Sequence, residues 1–150
     1  MNINQWNLKY SEISSSYNAL YRKVATKYGF SEAQFSILYH IYIYELTPTQ
    51  NQLADNFSLS KQTVNSAIAK LTEMGIVQLT KGTVARNSKV VSLTEKGMKL
   101  CKKQLQPLID AENRALGKLS DEQTKQFLYL FELQYHHFAD EIQELLQEEE

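Results

Sequence analysis

Between Gly75 and Thr94 the sequence changes its period, and that change limits what the chain can fold into. On both sides of this stretch, apolar side chains recur every third or fourth residue, the spacing that lines one face of a helix. Inside it, GIVQLT (75–80) and SKVVSLT (88–94) are short and rich in β-branched residues. They are joined by KGTVARN (81–87), where Gly82 favours a turn, so the pair reads as a two-stranded hairpin. A single hairpin among helices makes the chain mainly α with one small β element.

The helices can be placed by their stripes and caps. Ile3, Trp6, Tyr10, Ile13, Tyr17, Leu20, Val24 and Tyr28 step by three and four along a first helix that Gly29 can end. Ser31 with Gln34, flanked by Phe30 and Phe35, has the spacing of a capping box and staple, and a second helix is expected over 31–46. Pro48 interrupts. Thr49 with Gln52 repeats the box for a short third helix through Asn56, with Leu53 and Ala54 inward. Ser60 caps a fourth helix that Gly75 closes.

After the hairpin, Thr94 caps a fifth helix with Met98, Cys101, Leu105 and Leu108 on one side and a kink expected at Pro107. Ser120 and Gln123 start the last helix, where Leu128, Phe131, Tyr135, Phe138, Ile142 and Leu145 form another stripe. Residues 147–150 are expected to fray.

This order predicts an α+β winged helix-turn-helix with long helices at both ends. The turn is FSLS (57–60), between the third and fourth helices. At 150 residues the chain fits a single domain over 1–150. The winged lobe is expected over 30–98, and helical extensions, the regions assigned below to dimerisation by family resemblance, over 1–28 and 99–147. No apolar run approaches the roughly 18 residues of a membrane span, and no signal-peptide pattern begins the chain. With a single cysteine, Cys101, a disulfide framework is excluded and a cytoplasmic location is expected.

Net charge is −1, but its distribution is uneven. Residues 56–109 hold nine basic groups against Glu73 and Glu95, whereas 110–150 hold three basic and eleven acidic groups. A basic middle third in a neutral chain is what a polyanion-binding surface requires, although a basic face solvated for its own sake has the same composition.

The fourth helix sharpens the choice. At 100° per residue, Ile68, Leu71 and Ala67 fall within about 60° of Val64, and Gln62, Ser66 and Ala69 point the other way, flanked by Asn65 and Thr63. Between Ser60 and Ala69 the only charge is Lys61. Amides and hydroxyls both donate and accept, as base edges in the major groove do, and an alanine methyl can pack on thymine. The helix start, with free N–H groups and Lys61, suits a phosphate, and Lys70 lies where another would pass. Lys81, Arg86 and Lys89 give the hairpin a cationic tip that can reach a backbone or minor groove. The same lysines could instead protect a solvated sheet edge.

NQLADNFSLSKQTVNSAIAKLTEMGIV, the short basic wing and SKVVSLTEKG together resemble the MarR family of bacterial winged-helix transcriptional regulators. The specific motifs span about residues 30–100, and helix order extends the likeness to the whole chain. The resemblance implies a homodimer, joined through the terminal helices, on a pseudo-palindromic stretch of double-stranded DNA. Carried over by position, the recognition contacts fall on Ser60, Lys61, Gln62, Thr63, Asn65 and Ser66, and the wing contact on Arg86. It further implies a repressor released by a small aromatic effector.

Two positions depart from the family pattern. Ala85–Arg86–Asn87 stands where an Asp-x-Arg element is usual, so the acid that would brace Arg86 is absent. Ser66 stands where arginine is frequent, which leans the expected readout toward A·T pairs through Gln62 and Asn65. The missing acid and the near-zero net charge also leave room for an alternative, a winged-helix protein-interaction module without specific DNA binding.

Other features carry less. Cys101 could be a redox sensor, as in some relatives, or an inert core thiol, which its inward phase favours. His40, His136 and His137 form no ligand cluster, so neither metal nor cofactor is expected. Several of the nine tyrosines lie on the first two helices, where they could line an aromatic-ligand pocket or simply pack. No phosphate loop, nucleophile elbow or metal-hydrolase motif occurs, and the chain is not expected to be an enzyme.

Overall fold

A computed structural model describes residues 2–81 and 89–147. It contains α1 (Ile3–Lys27), α2 (Glu32–Tyr44), α3 (Gln50–Phe57), α4 (Lys61–Glu73), β1 (Val77–Lys81), β2 (Lys89–Leu93), α5 (Glu95–Gln104), α6 (Gln106–Leu116) and α7 (Asp121–Gln147). The mainly α winged helix-turn-helix architecture expected from the sequence is the one observed.

The caps form as their spacing requires. Ser31, Thr49 and Ser120 each accept a backbone N–H three residues on, while Gln34, Gln52 and Gln123 reach back to the cap N–H. Gly29 and Gly75 adopt φ of +75° and +68°, the left-handed conformation that closes α1 and α4. Ser58 takes φ +50° in the turn between α3 and α4, and the Leu59 N–H reaches back to the Ala54 carbonyl at 3.0 Å. That left-handed residue lets the chain leave α3 and restart as α4 within three positions.

Residues 1–106 form one compact unit and 107–150 another. The core lies in the first. Phe35, Ile37, Leu38 and Ile41 of α2, Leu53 of α3, Val64, Ile68 and Leu71 of α4, Ile76 and Val77, Val91 of β2, and Cys101 and Leu105 are all buried. The hairpin is antiparallel, running from Val77 opposite Leu93 to Lys81 opposite Lys89. The Val91 N–H donates to the Pro48 carbonyl at 2.8 Å, which ties β2 to the connection between α2 and α3.

The fifth helix differs from expectation. Instead of one helix kinked at Pro107, the chain forms α5 and α6 with a break at Leu105. Pro107 has no N–H to give, and its ring crowds the carbonyl four residues back, so a continuous hydrogen-bond ladder cannot cross this point. Met98, assigned inward by its phase, is 48% exposed, whereas Cys101 and Leu105 are buried. In the second unit, α7 carries a long apolar stripe but buries none of it.

Candidate nucleic-acid interface

The recognition surface begins with the cap of α4. Ser60 Oγ accepts the Thr63 N–H at 3.1 Å and lies 2.8 Å from Thr63 Oγ1. These two hydroxyls are therefore engaged with each other, which fixes the helix start. Val64, Ala67, Ile68 and Leu71 are buried, so the rotation of α4 about its axis is set by four apolar anchors. That rotation turns Lys61, Gln62, Asn65, Ser66, Ala69 and Lys70 to solvent, as the helical phase predicts.

Among the described residues, the side chains of Gln62, Asn65 and Ser66 make no hydrogen bond to another group. Lys61, Lys70, Lys81 and Lys89 make no ion pair there either. The hairpin register adds an arrangement that sequence reading did not find. Lys81 and Lys89 stand directly opposite each other as its last described pair, which places two lysines at facing positions on one side of the hairpin. Like charges facing across an antiparallel pair oppose each other, and an anion between them reverses the sign. Gly82, Ala85, Arg86 and Asn87, the tip residues weighed in the sequence, lie outside the described residues.

The remaining candidates separate clearly. Cys101 is fully buried, and burial pushes its thiol up from 9.0 to about 12. A thiol so placed is neutral at physiological pH and closed to oxidants, which supports the inert reading. Iodoacetamide is therefore expected to leave Cys101 unmodified in the folded protein at pH 7.5 and to label it after denaturation; rapid native labelling contradicts the burial. Because the folded value lies above the unfolded one, this group's stabilisation is complete below about pH 9 and is lost as pH rises toward 12. Cys101→Ala should accordingly flatten part of the alkaline decline in stability.

No three His, Cys, Asp or Glu side chains among the described residues are grouped to hold a metal ion. A half-open cavity of about 300 Å³ lies between α1 and α2, lined by Tyr21, Ala25, Phe35, Tyr39 and Phe57. At its edge Arg22 Nε pairs with Glu32 Oε1 at 2.9 Å. Of the tyrosines on the first two helices, only Tyr21 and Tyr39 line this cavity, while Tyr10, Tyr17 and Tyr44 are exposed. Among the described residues no helix is long and apolar enough to cross a membrane.

Comparison places this geometry. Residues 28–86 match the model of the MarR family. No curated protein matches the chain in sequence. A MarR family regulator from Neisseria meningitidis has a similar structure, with a TM-score of 0.76 at 21% identity over 96% of this chain and 99% of that one. MepR from Staphylococcus aureus, in its DNA-binding conformation, gives a TM-score of 0.75 at 17% identity, covering 89% of this chain and 98% of MepR. A MarR family protein from Listeria monocytogenes, complexed with a 26-mer DNA, gives 0.70 at 17% identity, covering 94% of this chain and 91% of that one. These likenesses concern the fold; the match over α2, α3, α4 and the first strand concerns the sequence itself, and in that winged lobe the chain is similar to the MarR family.

Proposed function

We propose that this protein is a sequence-specific DNA-binding transcriptional regulator, acting as a homodimer on a pseudo-palindromic operator. The observation that carries the reading is the outer face of α4. Gln62, Asn65 and Ser66 are exposed hydrogen-bonding groups with no partner among the described residues, and unpaired lysines stand at both ends of the helix and on the hairpin. Such a face suits base edges, and the flanking cations suit phosphates. Similar structures include two DNA complexes, that of MepR and that of the Listeria protein.

The dimer is supported by α1. Its stripe from Ile3 to Leu20 is exposed in the single chain, as is the aromatic-rich stripe of α7. Apolar surface of this extent is unusual on a soluble monomer. The cavity beside Tyr21 and Tyr39 is our candidate for a small aromatic effector that releases a repressing dimer.

Binding to duplex DNA should fall steeply with salt, because each neutralised phosphate releases counterions with a slope of about −0.9 in log K against log salt. Absent or salt-independent binding to the protein's own promoter region sinks the reading. Gln62→Ala or Asn65→Ala should change base preference by about 1–3 kcal/mol at one position per half-site, measured on duplexes varied one pair at a time. Arg86→Ala is expected to weaken all sequences alike, as a backbone contact does.

A further inference from the structure

The exit of α4, through Met74 and Gly75 toward β1, is gripped by the start of α5. The Thr94 N–H donates to the Ile76 carbonyl at 3.0 Å, and Thr94 Oγ1 donates to the Gly75 carbonyl at 2.7 Å. Thr94 Oγ1 in turn accepts the Gly97 N–H at 3.0 Å. Lys96 Nζ donates to the Met74 carbonyl at 2.6 Å, across a separation of 22 residues. Its stem lies over Gly75, where an added Cβ would come 3.9 Å from Lys96 Cδ and Nζ.

A helix C-terminus leaves carbonyls without intrahelical partners and carries partial negative charge, so an ammonium there is complementary on both counts. Lys96 is itself exposed, yet its ammonium is directed to the carbonyl of the residue that caps α4. The N-terminal half of α4 holds Gln62 and Asn65, and the C-terminal end is where Lys96 attaches. A helix of 13 residues is about 20 Å long, and any tilt at one end is passed to the other. Hydrogen bonds to base edges weaken steeply with misalignment, so such a tilt affects base reading more than phosphate attraction.

We propose that Lys96 is a positioning residue for base readout: its bond to the Met74 carbonyl holds the recognition helix at the angle from which Gln62 and Asn65 meet the bases. This rests on the reading of α4 as the DNA-facing helix. The test uses the full-length protein, the tightest duplex selected from a random library by the wild type, and an unrelated duplex of equal length, each titrated across a salt series.

Lys96→Met should reduce the preference for the selected duplex about tenfold, leaving affinity for the unrelated duplex and both salt slopes unchanged. Its thermal midpoint should stay within about 4 °C of wild type. Lys96→Arg, which can still donate to the carbonyl, should recover the preference. Full preference retained by Lys96→Met overturns the proposal alone, as does a loss that arginine does not recover. Equal weakening on both duplexes, with the slope reduced by about 0.9, instead makes Lys96 a direct phosphate contact and overturns it. A collapse of the thermal midpoint overturns it in favour of a purely structural role. A wild type with no preference among duplexes removes the reading of α4 and this proposal together.

Discussion

Replacing Gly97 with alanine is expected to destabilise the winged lobe by about 3 kcal/mol or more. Gly97 lies in the first turn of α5 with ordinary helical geometry, so the cost is steric and not conformational. An added Cβ would stand 2.0 Å from the Ile76 carbonyl oxygen and 2.9 Å from its carbon. Both are backbone atoms, and no rotamer change relieves them. The helix must instead retreat from the exit of α4. That retreat lengthens the Thr94 N–H bond to the Ile76 carbonyl and the Thr94 hydroxyl bond to the Gly75 carbonyl. Overpacking typically costs about 1–3 kcal/mol, and each lost hydrogen bond adds about 1 kcal/mol. Thermal unfolding should show a midpoint lowered by about 10 °C for a chain of this size. An unchanged midpoint contradicts the close approach of α5 to Ile76.

The second large effect concerns assembly. Ile13→Glu together with Leu20→Glu places two carboxylates seven residues apart on the α1 stripe, at positions exposed in the single chain. The winged lobe should fold as before, since neither residue contributes to its core. A dimer formed across that stripe would have to bury both charges unpaired, which is prohibitive. Sedimentation equilibrium should therefore change from dimer to monomer. Affinity for a duplex carrying two half-sites should fall by about 10²–10⁴-fold, because the second lobe no longer binds at the effective concentration its partner supplies. Unaltered dimers in this double variant move the interface elsewhere, with the α7 stripe the next surface to change.

Gly97 and Ile13 differ in how visible they were. The α1 stripe was legible because its residues define a face by local spacing alone. That the face stays uncovered within the chain was not, since exposure depends on what else packs there. Gly97 sits in a readable helix start, TEKG, yet nothing in that tetrapeptide names Ile76 as its neighbour. The same holds for Cys101, whose inward phase was readable but whose complete burial depends on the rest of the core. Met98 had a similar phase and came out exposed, whereas Gly97 and Cys101 of α5 and Leu105 at its end are buried.

The order of the elements, the capping boxes at Ser31, Thr49 and Ser120, the hairpin, and the side of α4 that carries Gln62, Asn65 and Ser66 are all written in local sequence. All of these depend on spacings of two to four residues, where backbone geometry leaves little choice. Tertiary structure alone decided the Lys96 grip on Met74, the contact of Gly97 with Ile76 and the facing of Lys81 and Lys89. Each joins residues from different elements, and local periodicity carries no information about which element packs against which.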